Sequence, residues 1–214
     1  ATKPDTGWKA MTSTPDLVIR GGTVADGKGG ELFEADVAIT GGRITEVGKV
    51  AGTGKEEIDA TGKLVAPGFV DVHTHYDGQV TWSQDITPSS QNGVTTAIMG
   101  NCGVGFAPCR PADHFRLIQL MEGVEDIPEP VLSAGIPWAW ESFPDYMGWL
   151  SKRNFDMDIG AQLPHAALRV YVMGERGARR DRVGAIELGF HMAQQVRLAR
   201  LRQHRLRVEA GALR

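Results

Sequence analysis

Short apolar runs separated by glycine pairs occupy the first third of the chain. The runs at 36–40 and 43–47 flank Gly41-Gly42, a two-residue connection of the kind that joins the strands of a β-hairpin. Glycine suits such a turn because the turn needs positive φ angles. The pattern therefore predicts a small antiparallel β module over residues 13–67, preceded by an N-terminal tail at 1–12.

Beyond Pro67 the hydrophobic pattern changes from hairpin-like to alternating strand and helix. Strand-like apolar runs lie at 68–72, 95–99, 158–163 and 169–173. Apolar residues at helical spacing predict helices at 113–122 and 142–152. Strands that alternate with helices are typical of a parallel α/β arrangement, which we assign to residues 68–178.

The length limits how complete this arrangement can be. A closed (β/α)₈ barrel takes roughly 250 residues, whereas 147 of the 214 residues remain from Gly68 onward. With 42% apolar residues the chain can bury a substantial core. We therefore expect a barrel-type fold that is incomplete.

Charge is distributed unevenly along the chain. The formal net charge is −3, but residues 179–214 contain nine Arg and three acidic residues, so this segment alone carries +6. The overall balance predicts neither a nucleic-acid nor a membrane partner. Without an apolar leader or a run of roughly 20 apolar residues, the sequence favours a soluble, cytoplasmic protein.

A His-x-His triplet follows the strand predicted at 68–72. His73 and His75 project to the same side if the strand continues through them, and both imidazoles can then reach one divalent ion. Barrel enzymes keep their sites at this carboxyl end of the strands. The triplet alone is equally compatible with one packed and one solvated histidine.

Cys102 strengthens the metal hypothesis because it follows the next predicted strand. Gly100 and Gly103 flank it and allow the backbone to turn closely. A thiolate and two neutral imidazoles form a good donor set for Zn²⁺. The alternatives are a small buried hydrophobic side chain and a disulfide with Cys109, which a reducing compartment disfavours.

Seven motifs together resemble a known family. The motifs are DLVIRGG at 16–22, APGFVDVHTH at 66–75, GVTT at 93–96, GNCG at 100–103, MEGVEDIP at 121–128, WESF at 140–143 and PHAALR at 164–169. The first two resemble the opening of the metal-dependent amidohydrolase superfamily, and the others resemble its N-acyl-D-amino-acid deacylase (D-aminoacylase) branch. The resemblance covers about residues 13–178.

The resemblance implies a fold, a reaction and ligands. Members combine a small β-sandwich with a (β/α)₈ barrel and hydrolyse the amide of N-acyl-D-amino acids to a carboxylate and a D-amino acid. It implies His73, His75 and Cys102 as ligands of zinc, which polarises the carbonyl and activates water. The family's general-base carboxylate and two further His ligands come from later strands, and no residue here matches them, so the catalytic residue stays unassigned.

Three further residues are weaker candidates. Asp77 follows the His-x-His triplet and could orient a ligand, although a carboxylate in a turn is the simpler interpretation. His165 and Arg169, placed before and within the strand predicted at 169–173, could contact substrate, Arg169 through a bidentate bond to its carboxylate. An ordinary surface or packing role is the alternative for both.

The sequence thus predicts the N-terminal portion of a zinc amidohydrolase that takes a small N-acyl amino acid, with a divergent Arg-rich tail at 179–214. We expect a truncated or frame-shifted form of a longer enzyme, with weak metal binding and negligible turnover. One alternative is a cyclic amidase of the hydantoinase or dihydroorotase type, which Cys102 disfavours. The other is a non-catalytic metal-binding or scaffold fragment that self-associates through open sheet edges.

Overall fold

The computed structural model describes residues 14–178 and 197–199. The chain divides into two compact units, one ending at Pro67 and the other beginning at Gly68. The N-terminal tail predicted at 1–12 lies outside the described residues, as does the Arg-rich tail except for its three residues at 197–199.

In the described part of the first unit, five strands form one sheet. Their bounds are Leu17–Val24 (β1), Phe33–Thr40 (β2), Arg43–Gly48 (β3), Glu56–Asp59 (β4) and Leu64–Val65 (β5). The strand order is β3-β2-β1-β4, and β5 pairs with the other end of β1, beside β4 along the same edge. β1 continues through its glycine pair by means of a β-bulge, seen as a shift in the pairing register between Ile19 and Gly22. Gly21 allows this bulge because it adopts a φ of 61°.

The predicted hairpin is present, but the sheet is not purely antiparallel. β2 and β3 pair antiparallel across Gly41 and Gly42, whose φ angles are both positive, as the turn requires. β4 and β5, however, both run parallel to β1. The antiparallel prediction was wrong for these two strands because both return to β1 through longer connections instead of a tight turn.

Alternating side chains give the first sheet two buried patches. Val18, Ala38 and Val50 cluster apart from a larger group that lies against the other face. The larger group consists of Leu17, Ile19, Val24, Ala35, Val37, Ile39 and Ala60. Apolar residues on both sides of β1 explain why its sequence is a continuous apolar run at its start instead of an alternating one.

The second unit alternates strands with helices. Its strands are Phe69–Asp71 (β6), Val94–Met99 (β7), Asp158–Ala161 (β8) and Arg197–Ala199 (β9). Its helices are Gln79–Trp82 (α1), His114–Glu125 (α2), Glu129–Gly135 (α3), Phe143–Leu150 (α4), His165–Met173 (α5) and Glu175–Ala178 (α6). Short 3-10 turns occupy Ser90–Asn92, Asn101–Gly103 and Pro111–Asp113.

The strands of the second unit form a four-stranded sheet in the order β6-β7-β8-β9. β6, β7 and β8 are mutually parallel, with helical crossovers between them, which confirms the predicted α/β class. β9 pairs antiparallel with β8 and so departs from an all-parallel arrangement.

The strand predicted at 169–173 is wrong, since these residues belong to helix α5. The run from Arg169 to Met173 looks like strand material in the sequence. Instead, Ala167 and Val170 are buried three residues apart while Val172 is exposed, which is helical spacing. Pro164, immediately before the helix, has the φ of −69° that proline sets in advance for a helix start.

Helices α2, α3, α4 and α5 pack their apolar faces on the parallel strands. The largest fully buried side chains of this core are Phe106, Phe155, Ile86, Met99, Leu117, Met121, Leu132, Leu150 and Ile159. Helix α4 begins at a capping box, in which Ser142 and Asp145 each accept from the other's backbone N–H. Among the described residues, no helix is both long and apolar enough to span a bilayer.

Candidate metal centre

Thr74 fixes the His-x-His segment to the neighbouring strand. Its backbone N–H and its hydroxyl both donate to the carbonyl of Ile98 in β7, at 3.0 Å and 2.9 Å. Thr74 is buried, whereas His73 is exposed and His75 is half-buried. β6 itself ends at Asp71, so this anchor, and not a continuous strand, holds the two histidines beside the end of β7.

The Cys102 loop turns sharply at the end of β7. Gly100, Cys102 and Gly103 have φ angles of 80°, 53° and 76°, and cysteine rarely adopts such a backbone. A Cβ on Gly100 would lie 2.4 Å from the carbonyl oxygen of Gln162, so only glycine fits there. The backbone strain at Cys102 is of the kind that concentrates at functional sites.

Asn101 ties this loop to both neighbouring segments. Its amide nitrogen donates to the carbonyls of Ile98 and Thr74, at 2.8 Å and 3.3 Å, and its amide oxygen accepts from the Gln162 side chain at 2.9 Å. The three strand ends are thereby cross-linked by one asparagine. This network positions Cys102 relative to the histidines.

His73, His75 and Cys102 converge, with one donor atom from each lying within 4.8 Å of the others. Cys102 Sγ lies 3.4 Å from His73 Nε2. Tetrahedral zinc, with Zn–S near 2.3 Å and Zn–N near 2.0–2.1 Å, places two such donors about 3.6 Å apart. The donor set is one that zinc prefers, and the separation between Cys102 and His73 is close to that of two donors on one tetrahedral ion.

Asp77 is buried, and its carboxylate accepts from the backbone that leads to Cys102. Its Oδ2 accepts the backbone N–H of Gly100 at 3.1 Å, two residues before Cys102. Burial raises the pKa of the Asp77 carboxyl to about 7, and the nearby Glu125 charge adds to this rise. The structure thus places Asp77 under the Cys102 loop.

Glu125, like Thr74 and Asn101, is a residue of this site to which the sequence patterns gave no role. Its Oε1 lies 3.2 Å from His75 Nδ1. Both residues line a cavity of about 420 Å³ together with His73, Tyr76, Trp82 and Ile127, among others. Glu125 lies three residues beyond the helix predicted at 113–122, so the sequence patterns carried no signal for this contact.

His165 and Arg169 are less closely associated with the site. His165 is the first residue of α5 and is exposed. It lies beside the Cys102 loop, since a Cβ added to Gly103 would be 3.6 Å from the Cβ of His165. Arg169 is half-buried one helical turn further on. Because this segment is helical, the strand-end placement on which both predictions depended is wrong, and their contact with substrate stays a prediction.

Cys109 contributes to the core and not to the site. Both cysteines are free, and Cys109 is buried. Burial, together with the nearby carboxylates of Asp113 and Glu141, raises the pKa of its thiol to about 12. It is therefore an inert apolar side chain at neutral pH.

The parallel strands and the His-x-His segment with its facing cysteine define the class of protein. The profile of the amidohydrolase family matches residues 56–202, and the chain belongs to this family. Within it, the chain is 34% identical over 165 residues to the N-acyl-D-aspartate deacylase of Alcaligenes xylosoxydans xylosoxydans, covering 76% of this chain and 30% of that relative.

Two solved structures agree with this placement. The D-aminoacylase crystal structure superposes with a TM-score of 0.66 at 32% identity, over 84% of this chain and 35% of that one. The N-acyl-D-glutamate deacylase of Bordetella bronchiseptica, complexed with zinc and a phosphonate inhibitor, has a TM-score of 0.58 at 31% identity, over 76% and 32%. The chain spans about a third of the length of these relatives.

Proposed function

We propose that this chain carries the first metal-binding strand ends of a zinc-dependent amidohydrolase that hydrolyses the linear amide bond of N-acyl-D-amino acids. The observation that carries the proposal is the convergence of His73, His75 and Cys102 within 4.8 Å, with Cys102 Sγ 3.4 Å from His73 Nε2. Relatives named for deacylation of N-acyl-D-aspartate and N-acyl-D-glutamate support the substrate class.

In this proposal the three donors hold zinc, which when bound polarises the amide carbonyl and activates water. Of the three donors, Cys102 supplies the negative charge as a thiolate, and the two histidines bind as neutral imidazoles. Thr74 and Asn101 keep the donors in place through their bonds to the Ile98 carbonyl. The general base is unassigned.

Asp77 acts in this proposal as a positioning residue for Cys102. Its buried carboxyl holds the Gly100 N–H, and the Gly100 backbone sets the direction of the loop. Asp77→Ala removes this bond, whereas Asp77→Asn retains an oxygen that accepts it. We expect zinc affinity to fall in Asp77→Ala and to recover in Asp77→Asn, as measured by competition with a chromogenic chelator.

The fold that we propose for this enzyme is the (β/α)₈ barrel, of which β6, β7 and β8 are the first strands. β6 lies at an edge of the described sheet and leaves Phe69, Val70 and Val72 59–66% exposed. A further strand beside β6 would cover this apolar surface. The small first sheet corresponds in this proposal to part of a β-sandwich.

Metal analysis combined with an activity assay tests the proposed function. The protein is dialysed against zinc, and bound metal is measured for the unmodified chain, His73→Ala and Cys102→Ser. Zinc bound by the unmodified chain and lost in both variants supports the site, whereas equal zinc in all three overturns it.

The substrate is tested on a protein of the length of the relatives that contains these residues. N-acetyl-D-aspartate and N-acetyl-D-glutamate are compared with their L-enantiomers and with hydantoin. Release of the D-amino acid alone supports the proposed reaction. Hydrolysis of hydantoin instead of the linear amides would favour the cyclic amidase.

A further inference from the structure

Helix α2 ends directly beside the metal centre. Glu125 is its last residue, and Asp126 then turns the chain with a φ of 54° while its N–H donates to the carbonyl of Glu122. This ending directs the Glu125 carboxylate into the cavity lined by His75. A negative charge at a helix C-terminus is unfavourable because the helix dipole repels it, so its placement there calls for a compensating donor.

A donor that meets this need is the Nδ1 atom of His75, 3.2 Å from Glu125 Oε1. Nδ1 is buried and makes no well-aligned hydrogen bond among the described residues. The two atoms are therefore at ion-pair distance but are not aligned as a hydrogen bond. Hydrogen bonds at active sites commonly tighten only when the site is loaded.

Glu125 contacts a donor residue without belonging to the donor cluster. Its oxygens are not among the atoms of His73, His75 and Cys102 that lie within 4.8 Å of one another. It is placed to act through His75 and not on the ion. A histidine that donates one ring N–H to a carboxylate presents its other nitrogen, fixed in orientation, to a metal.

We propose that Glu125 is a positioning residue that holds His75 in the Nδ1–H tautomer and directs its Nε2 towards the metal. This proposal rests on the proposed function for the identity of His75 as a ligand. The buried Asp77 carboxyl nearby accepts from Gly100, and in this proposal the half-buried Glu125 accepts from the His75 Nδ1–H. Glu125 thereby couples helix α2 to the metal centre.

The experiment compares Glu125→Ala, Glu125→Gln and the control Glu122→Ala, which removes the same charge from the same helix. The His75 tautomer is determined from ¹H–¹⁵N NMR spectra of the metal-free chain, with His75→Ala to assign the signals. Zinc affinity is measured by chelator competition. Circular dichroism confirms that each variant is folded, and Glu125→Gln keeps the test valid if Glu125→Ala does not fold.

We expect the Nδ1–H tautomer in the unmodified chain, in Glu122→Ala and in Glu125→Gln, whose amide oxygen still accepts the proton. Glu125→Ala loses this preference and binds zinc 10–100-fold more weakly, as for other partners of metal-bound histidines. An Nε2–H tautomer in the unmodified chain overturns the proposal. So does zinc affinity in Glu125→Ala equal to that in Glu122→Ala.

The two proposals fail in different ways. Because the tautomer is measured without metal, the Nδ1–H form in a chain that binds no zinc supports the contact between Glu125 and His75 and overturns the metal site. The other mixed result is a chain that binds zinc while His75 is in the Nε2–H tautomer. It supports the metal site and overturns the role of Glu125.

Discussion

At the scale of single residues, the two cysteines differ in their surroundings and should differ in reactivity. Cys102 is exposed beside His73, whereas Cys109 is buried and its thiol has a pKa of about 12. At pH 8 about one Cys109 in ten thousand is a thiolate, and the thiolate is the reactive form. We expect iodoacetamide to add one group per chain, at Cys102, as measured by mass spectrometry and peptide mapping.

Zinc provides the control for this reactivity. If Cys102 ligates zinc, adding the ion slows its alkylation, and a chelator restores the rate. Alkylation of Cys109 at a comparable rate would contradict the burial described for it, and an unchanged rate at Cys102 with zinc would contradict its role as a ligand.

Gly100 is the residue whose substitution should damage the site most directly. A Cβ there meets the Gln162 carbonyl oxygen at 2.4 Å, and the φ of 80° is unfavourable for any other residue. The φ alone costs alanine about 1–2 kcal/mol, and the steric clash adds to that. We expect Gly100→Ala to lower the free energy of unfolding by more than this amount and to weaken zinc binding, as measured by denaturation and chelator competition.

Gly29→Ala is the matched control for the backbone angle. Gly29 has a φ of 79°, but a Cβ on it would have no heavy atom within 4 Å. Gly29→Ala should therefore lower the free energy of unfolding only by the cost of the φ angle, because it introduces no steric clash. Its zinc affinity should be unchanged. Equal losses in the two variants would mean that the contact with Gln162 is unimportant.

At the scale of elements, the helical assignment of α5 makes a prediction that a strand would not. Val170 is buried and Val172 is 51% exposed. Val170→Ala should cost roughly 2 kcal/mol of unfolding free energy, whereas Val172→Ala, at an exposed helix position, should change it by less than about 0.5 kcal/mol. Urea denaturation measures both values, and similar losses would indicate that the two side chains share a buried face.

This segment also shows which elements the sequence could predict. Glycine pairs identified the β2–β3 hairpin, and spaced apolar residues identified α2 and α4, because in each case one local pattern specifies one structure. Val170-Tyr171-Val172 has strand-forming residues, and packing of Ala167 and Val170 overrides that preference. The parallel pairing of β4 with β1 depends on contacts distant in sequence, which no local pattern encodes.

The candidate site was predictable to a similar extent. The sequence predicted His73, His75 and Cys102 because each follows a strand whose carboxyl end lies at the same sheet edge, and the structure brings these donors together. It gave no role to Glu125, which reaches His75 only because helix α2 folds back across 50 residues of chain. Side chains that come from a distant helix leave no spacing signal.

At the scale of the whole molecule, ion binding should stabilise the second unit and not the first. The donors all lie beyond Gly68, in the unit that contains β6 and β7. A ligand present at one hundred times its dissociation constant adds about 2.7 kcal/mol to the stability of the state that binds it. Two units with separate cores can unfold in separate transitions, so such a gain need not reach the other unit.

We therefore expect zinc to raise the midpoint of one calorimetric transition while leaving a transition of the first unit unchanged. Cys102→Ser abolishes the increase, because a hydroxyl is a poor substitute for the thiolate. Cys109→Ala should lower the midpoint measured without zinc, because that cysteine fills space in the core. Zinc should still raise the midpoint of this variant, since Cys109 is not one of the donors. An increase that survives Cys102→Ser would mean that the ion binds elsewhere on the chain, and the stabilising site would then have to be sought outside the ends of β6 and β7.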